Sequence, residues 1–302
     1  MKRILIIYNP HSSRFHDVKK EVLDHLSKIK GYIIGKYEVD PSNIDKNTDK
    51  LAKLLRNGDL VISAGGDATG IIAVNAIFKS GKDVTLSVLP YGNFNDLSRT
   101  LGISTLEDVF SANNHPGYFY PLDIIVDGKH CRYATCYVTI GMTAESVKLY
   151  DEPAMRKILK KPFGRKVSSY THLISWYFKN RHKKRFLPDF RLNGKLQPQA
   201  TSDYIAVNGR FMARVLRIGD NYKNPTTFHS RTCRLINFGR LFYLISRSIL
   251  FRIPGAATNG DVLEFTKPAT VKLQAEGEFI TCKDVRRIEI RKADQCLKTI
   301  MK

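Results

Sequence analysis

The chain has 302 residues, 43% of them hydrophobic, and 49 Lys and Arg against 28 Asp and Glu, for a net charge of +21. That length supports a sizeable core and two domains, and that charge excludes a strongly basic partner in favour of nucleic acid, nucleotide or an acidic membrane surface. Five cysteines without metal or framework spacing exclude a disulfide scaffold and point to free thiols in a reducing compartment.

The opening "MKRILIIYNP" has a basic tip and a short apolar run that Asn9-Pro10 ends. It is too short for a secretory core and reads as a buried strand over 3–9. Val18, Val22, Leu23, Leu26 and Ile29 follow at helical spacing, so 15–29 is a predicted helix. A strand over 32–39, a helix over 44–56, a strand at "DLVISA" (59–64), a helix over 70–80 and a strand over 84–90 complete the pattern. Strands apolar on both faces, alternating with helices, predict a parallel sheet covered on both sides.

From about 121 the texture changes. "YPLDIIVDGKHCRYATCYVTIG" alternates, with a hairpin turn at Asp127-Gly128. Further strand-like runs fall at 190–196, 203–209, 215–220, 261–267, 270–280 and 286–292, with helical patterns near 153–182 and 235–252. The fold class is therefore α/β: an N-terminal three-layer α/β/α domain with a mostly parallel sheet, plus a β-rich, sandwich-like second domain. The expected boundaries are 1–120 and 121–282, with a segment from about 283 to 302 packing back on the first domain. No stretch is apolar for long enough to span a bilayer, so the expectation is a cytoplasmic protein, peripherally associated with membrane.

Three polar turns follow strands of the first domain: "NPHSS" (9–13), "GGDATG" (65–70) and "PYGNFND" (90–96). Ligands in open α/β sheets bind at the carboxyl ends of strands. Glycines let backbone N–H groups approach an anion, and a following helix adds its N-terminal dipole. No Gly-Lys-Ser/Thr follows, so the middle turn is not a Walker A loop. Asp67 also suits a cap on the helix that begins near residue 70, and Asn95-Asp96 a cap before "LSRTLG".

Asn9-Pro10 with Ser12, Gly65-Gly66-Asp67 with Thr69, Pro90 and Gly92 with Asn95-Asp96, and the late pair Gly277-Glu278 resemble the diacylglycerol kinase catalytic-domain family. These are soluble lipid kinases related to sphingosine kinases and more distantly to NAD kinases. The order is kept across nearly the whole chain. The resemblance implies a kinase that phosphorylates a hydroxyl of a membrane lipid, with ATP and Mg2+ as cofactors. It places the nucleotide along Asn9, Pro10, Ser12, Ser13, Gly65, Gly66, Asp67, Ala68, Thr69, Asn93, Asn95 and Asp96. Asp67 would act through the nucleotide's magnesium. Glu278 matches the glutamate of the family's Asp-Gly-Glu motif, the proton acceptor, and Glu276 stands in the aspartate's place.

The chain also departs from the family pattern. Ala68 replaces a glycine, and at a position of φ > 0 it would cost about 1 kcal/mol. Ile71 and Ile72 replace polar residues, Asn93 replaces a threonine, and Phe94 a small residue. In the stretch the family links to a structural metal, Asn224 replaces an aspartate and Asp220 is the alternative metal ligand. These departures leave open a weakened or inactive relative that binds nucleotide or anionic membrane without turnover.

Residues 153–188 carry eleven Lys and Arg and no Asp or Glu, with Phe163, Trp176, Tyr177 and Phe178 interleaved. Basic and aromatic residues together suit an anionic membrane surface. They also suit RNA or a merely solvated face, but no specific nucleic-acid partner is expected. "LINFGRLFYLISRSILFRI" (235–253) reads first as a core-packing helix, and second as one lying on a membrane. A homodimer is compatible with the sequence.

Overall fold

The computed structural model describes residues 2–12, 14–40, 42–111, 113–146, 174–175, 178–180, 186–212, 217–219, 224–234, 239, 242–243, 246–247 and 250–302. The calls on Ser13, Asp220 and most of the basic run 153–188 lie outside these residues.

The first sheet is built as the periodicity requires. Strand β1 (Lys2–Tyr8) is followed by α1 (Phe15–Val18), a π-helical turn (Lys19–Leu23) and α2 (Asp24–Leu26). Then come β2 (Tyr32–Glu38), α3 (Ile44–Leu54), β3 (Leu60–Gly65), α4 (Asp67–Ser80), β4 (Thr85–Pro90), α5 (Asp96–Leu101), α6 (Leu106–Phe110) and β5 (His115–Phe119). Strands β1 to β4 pair in parallel in the order β2-β1-β3-β4. Ile4, Ile6, Ile7, Val61, Ile62, Leu86 and Leu89 are buried along them, so both faces are covered. The register sets Tyr8 against Ala64 and Gly65 against Pro90. The ends of β1, β3 and β4 therefore share one edge, and the three polar turns leave from it.

The second sheet holds β6 (Leu122–Val126), β7 (Lys129–Ala134), β8 (Tyr137–Gly141), β9 (Phe190–Leu192), β10 (Lys195–Leu196), β11 (Asp203–Val207), β12 (Phe228–Cys233), β13 (Ala256–Thr258), β14 (Gly260–Ala275) and β15 (Glu278–Lys292). All its pairings are antiparallel. Asp127-Gly128 does form the β6–β7 turn, both residues having positive φ. A short helix, α7 (Met142–Ser146), leaves β8. The chain then returns: β16 (Leu297–Met301) lies in the first sheet, parallel to β4 and antiparallel to β5. Residues 286–292 stay in the second sheet, because β15 runs on beside β6 as far as Lys292.

One expectation changes and another is met only in part. The run 270–280 is not one strand: Glu276 and Gly277 adopt φ of 50° and 92° and form the two-residue turn between β14 and β15. The stretch 235–253 is described only in part: Ile253 is buried in the core, whereas its described aromatic and leucine positions are not. Phe242, Tyr243, Leu250 and Phe251 are all more than half exposed. Arg247 stacks on the Tyr243 ring at 5.8 Å from its centroid.

Candidate active site

The middle turn starts where β3 ends. Gly66 is the extended N-cap of α4, with φ −93° and ψ −173°, and the first helical bond runs from Gly70 N to Gly66 O. Ala68 is thus a helical residue in the first turn and not a left-handed one. The strain expected of alanine there does not arise. Ile71 and Ile72 are fully buried in the same helix and pack in the core, away from any polar role.

What the glycines do is bring two turns into contact. A Cβ on Gly66 would lie 3.3 Å from the Gly92 Cα, and one on Gly92 would overlap Gly66 and stand 2.9 Å from Asn95 Oδ1. A Cβ on Gly65 would overlap the buried Thr69 side chain. None of these three glycines has positive φ, so the requirement is for space.

Asp67 locks the contact. Its Oδ1 accepts from Asp96 N at 2.8 Å and its Oδ2 from Asn95 N at 3.0 Å. The helix it caps is therefore α5, not the helix that follows it in sequence. Burial raises the Asp67 pKa, and the amides of Asp96 and Asn95 oppose that rise. Asn95 does not cap α5 with its side chain. It sits left-handed at φ 59°, accepts Gly92 N at 2.7 Å, and donates to Gly92 O at 2.9 Å and Pro90 O at 3.2 Å. It is the internal brace of the third turn. Asn93 is exposed at that turn's tip.

In the first turn, Asn9 Oδ1 accepts His11 N at 2.8 Å and Asn9 O accepts Ser12 N at 3.2 Å. Pro10 is half-buried. The Ser12 hydroxyl is shielded from solvent with no hydrogen-bond partner among the described residues. Arg14 ties this turn to the third one: it donates to Pro90 O at 2.9 Å and lies over the Tyr91 ring at 5.1 Å. Sequence reasoning did not mark Arg14. A lone arginine six residues beyond a strand end carries no signal until the turns are seen side by side.

The second domain contributes Glu276. Its carboxylate is buried and accepts from Thr135 Oγ1 at 2.6 Å and from the Cys136 amide. Its pKa is pushed up to about 7, first by burial, with the charge of Asp67 adding; the Thr135 and Cys136 hydrogen bonds oppose the shift. The buried Tyr137 hydroxyl is pushed well up by burial and then by Asp96, Asp67 and Glu276. Three carboxylates from two domains thus act on one place. Glu278 is half-buried at the start of β15, opposite Ala275. Glu276, two residues earlier, is buried, and the charge of Asp67 raises its pKa. Its position next to the turn glycine Gly277 was the available clue.

The donor set fits an anion. Helical geometry leaves the N–H groups of Ala68 and Thr69 without intrahelical acceptors, at the positive end of a 14-residue helix. The Ser12 hydroxyl adds a buried, unused polar group. Among the described residues no three His, Cys, Asp or Glu side chains group as metal ligands. On the described residues alone, a magnesium ion would need the nucleotide's phosphates as partners, with Asp67 beside them.

Residues 3–116 match the family model described as the diacylglycerol kinase catalytic domain. A diacylglycerol kinase of Bacillus subtilis strain 168 is 38% identical over 165 residues, 53% of this chain and 52% of that protein. One from Staphylococcus saprophyticus is 27% identical over 181 residues, 57% of this chain and 55% of that protein. These alignments span about half the length of the curated relatives. A solved structure of a diacylglycerol kinase from Bacillus anthracis strain Sterne superposes with a TM-score of 0.66 at 15% identity, covering 100% of this chain and 97% of that one. At that identity the likeness is one of fold. The family resemblance read from the motifs and the mixed α/β fold class are both borne out. No described helix is long and apolar enough to cross a membrane.

Proposed function

We propose, for a chain that carries a diacylglycerol kinase catalytic-domain match over residues 3–116, that it transfers phosphate from ATP to a hydroxyl of a diacylglycerol-like membrane lipid. The observation that carries this reading is the Asp67 lock. One carboxylate joins the second turn to the third, on the same strand edge as the first, and its charge acts on Glu276 of the other domain. Bound ATP and magnesium would supply the phosphoryl group and neutralise its charge.

The chain's residues supply position and proton handling. The amides of Ala68 and Thr69 and the Ser12 hydroxyl donate to phosphate oxygens. Gly65, Gly66 and Gly92 keep side chains out of the backbone approach. Asp67 and Asn95 fix the relative placement of the turns, and Arg14 ties the first turn to the third. Glu278 is the proposed acceptor of the lipid hydroxyl proton. Glu276, with a carboxyl raised to about 7, is suited to share it. The basic residues of 153–188 are the proposed contact with anionic lipid.

The test is incubation of the protein with labelled ATP, magnesium and vesicles containing diacylglycerol and an anionic phospholipid. Labelled lipid, abolished by Asp67→Ala, is expected. Nucleotide binding without product would leave a binding protein on a kinase fold. Absence of both nucleotide binding and labelled product would overturn the reading.

A further inference from the structure

Lys292 ends β15 at the junction of the two sheets, beside a small cleft lined by Thr100, Tyr118, Tyr120 and Asn224 among others. Its ammonium donates to Asn208 Oδ1, to Asn224 O at 3.2 Å and to Tyr120 O at 3.3 Å. An ammonium has three protons, so these acceptors use them all. Burial brings its pKa down to about 8.

Asn208 passes this contact on. Its Nδ2 donates to Thr135 O at 2.7 Å and to Tyr120 O at 3.0 Å. The backbone N–H groups of Asn208 and Gly209 both donate to Cys136 O, at 2.7 and 2.9 Å. The ammonium on one side and the two carbonyls on the other admit a single orientation of the Asn208 amide. Reversed, it would set an NH2 against an NH3+ and an oxygen against two oxygens. Both carbonyls of the Thr135–Cys136 corner are thereby held from one side. The other side of the corner offers Cys136 N and Thr135 Oγ1 to the Glu276 carboxylate. Glu276 sits in a left-handed turn residue, so the corner is what orients its side chain.

We propose that Lys292 and Asn208 are positioning residues that fix the Thr135–Cys136 corner and, through it, the Glu276 carboxylate. Lys292 acts by locking the Asn208 amide, and Asn208 acts by donation to the corner. The titratable groups around the carboxylate are Asp67, Asp96, Cys136 and Tyr137. Those around the ammonium are Tyr118 and Tyr120.

Two variants, with a third as control for charge, separate this from a simple staple across the junction. Lys292→Met keeps the Asn208 donors but frees the amide. Asn208→Asp keeps, and strengthens, the pairing with Lys292 but loses donation to Thr135 O and Tyr120 O. Glu276 is followed by carbon-13 NMR titration of the carboxyls, assigned by its disappearance in Glu276→Gln, with thermal melting as the check on folding. The relay expects the Glu276 midpoint to move in the same direction in both variants, by about half a pH unit or more. Both variants also change charge near Glu276, so Asn208→Leu, which removes the donation without adding a carboxylate, decides. A midpoint that moves in Asn208→Asp but not in a folded Asn208→Leu reports charge alone and overturns the relay. An unchanged midpoint in a folded Asn208→Asp also overturns the proposal, even where Lys292→Met fails to fold. A turnover readout rests on the kinase reading: kcat falls about tenfold in Asn208→Asp with the KM for ATP held. Absence of wild-type turnover would count against that reading alone, because the NMR titration tests the relay without it.

Discussion

The Asp67 turn and the Glu276 turn each hold a carboxylate by hydrogen bonds, over very different spans of chain. Asp67 is held by amides 28 and 29 residues away, inside one β-α-β stretch. Glu276 is held by groups 140 and 141 residues away, in the connection between β7 and β8 of the second sheet. The first arrangement is fixed once β3 and β4 are paired, because Gly65 then lies against Pro90. The second needs β14, β15 and β8 in register, and the β11 end packed on the corner before β8. Local pairing costs less loop-closure entropy than distant pairing. The Asp67 turn should therefore tolerate damage to the second domain, and the Glu276 turn should be sensitive to damage in either.

The largest effect should come from Asp67→Ala. Loss of a helix cap costs about 0.5–2 kcal/mol in urea unfolding, and phosphoryl transfer should fall below detection. Asp67→Asn keeps an acceptor for one amide and should recover stability without recovering turnover. Equal recovery of both would reduce Asp67 to a cap. Gly92→Ala should come next. Its methyl overlaps Gly66, and forcing the turns apart should cost about 1–3 kcal/mol and weaken nucleotide binding by calorimetry.

Asp203 sharpens the comparison from the second domain. It is buried, accepts Thr143 N at 2.7 Å, and burial raises its pKa from 3.8 to about 7. The folded form binds this proton more tightly than the unfolded form. Its contribution is fully present below pH 3.8 and is lost as pH rises through about 7. The urea midpoint of wild type, relative to Asp203→Asn, should decline across that window. A parallel pair of curves would show that the carboxyl titrates alike in both states. The smallest effect belongs to Ala68→Gly. The site is helical, so glycine should destabilise by about 0.5–1 kcal/mol and leave turnover unchanged. A large gain in turnover would contradict the placement of Ala68 in α4.

The strands and helices of the first domain were legible because their apolar residues repeat at the periods of buried strands and packed helices. The three turns were legible because they follow those strands. Ala68 misled because a motif fixes residue types and not φ. Whether the position is left-handed depends on where the helix starts, and it starts one residue earlier, at Asp67. Glu276-Gly277 was hidden inside an alternating run, where a turn with positive φ looks like strand until the pairing is known. The stretch 235–253 has helical spacing that gives a face its width, but nothing in that spacing says what the face meets.

The sequence by itself determined the alternation of strand and helix, the change to antiparallel texture near residue 121 and the three glycine or asparagine turns. Each of these depends on neighbours within a few residues, where side-chain period and backbone freedom decide. Tertiary structure alone decided that Asp67 caps α5, that Arg14 reaches Pro90, and that Glu276 is a buried carboxylate under the charge of Asp67. It also decided that Lys292 and Asn208 stand behind the corner that holds Glu276. These contacts join residues far apart in the chain. Their partners are chosen by strand register and by the need to satisfy every buried donor and acceptor, and neither is written in any single segment.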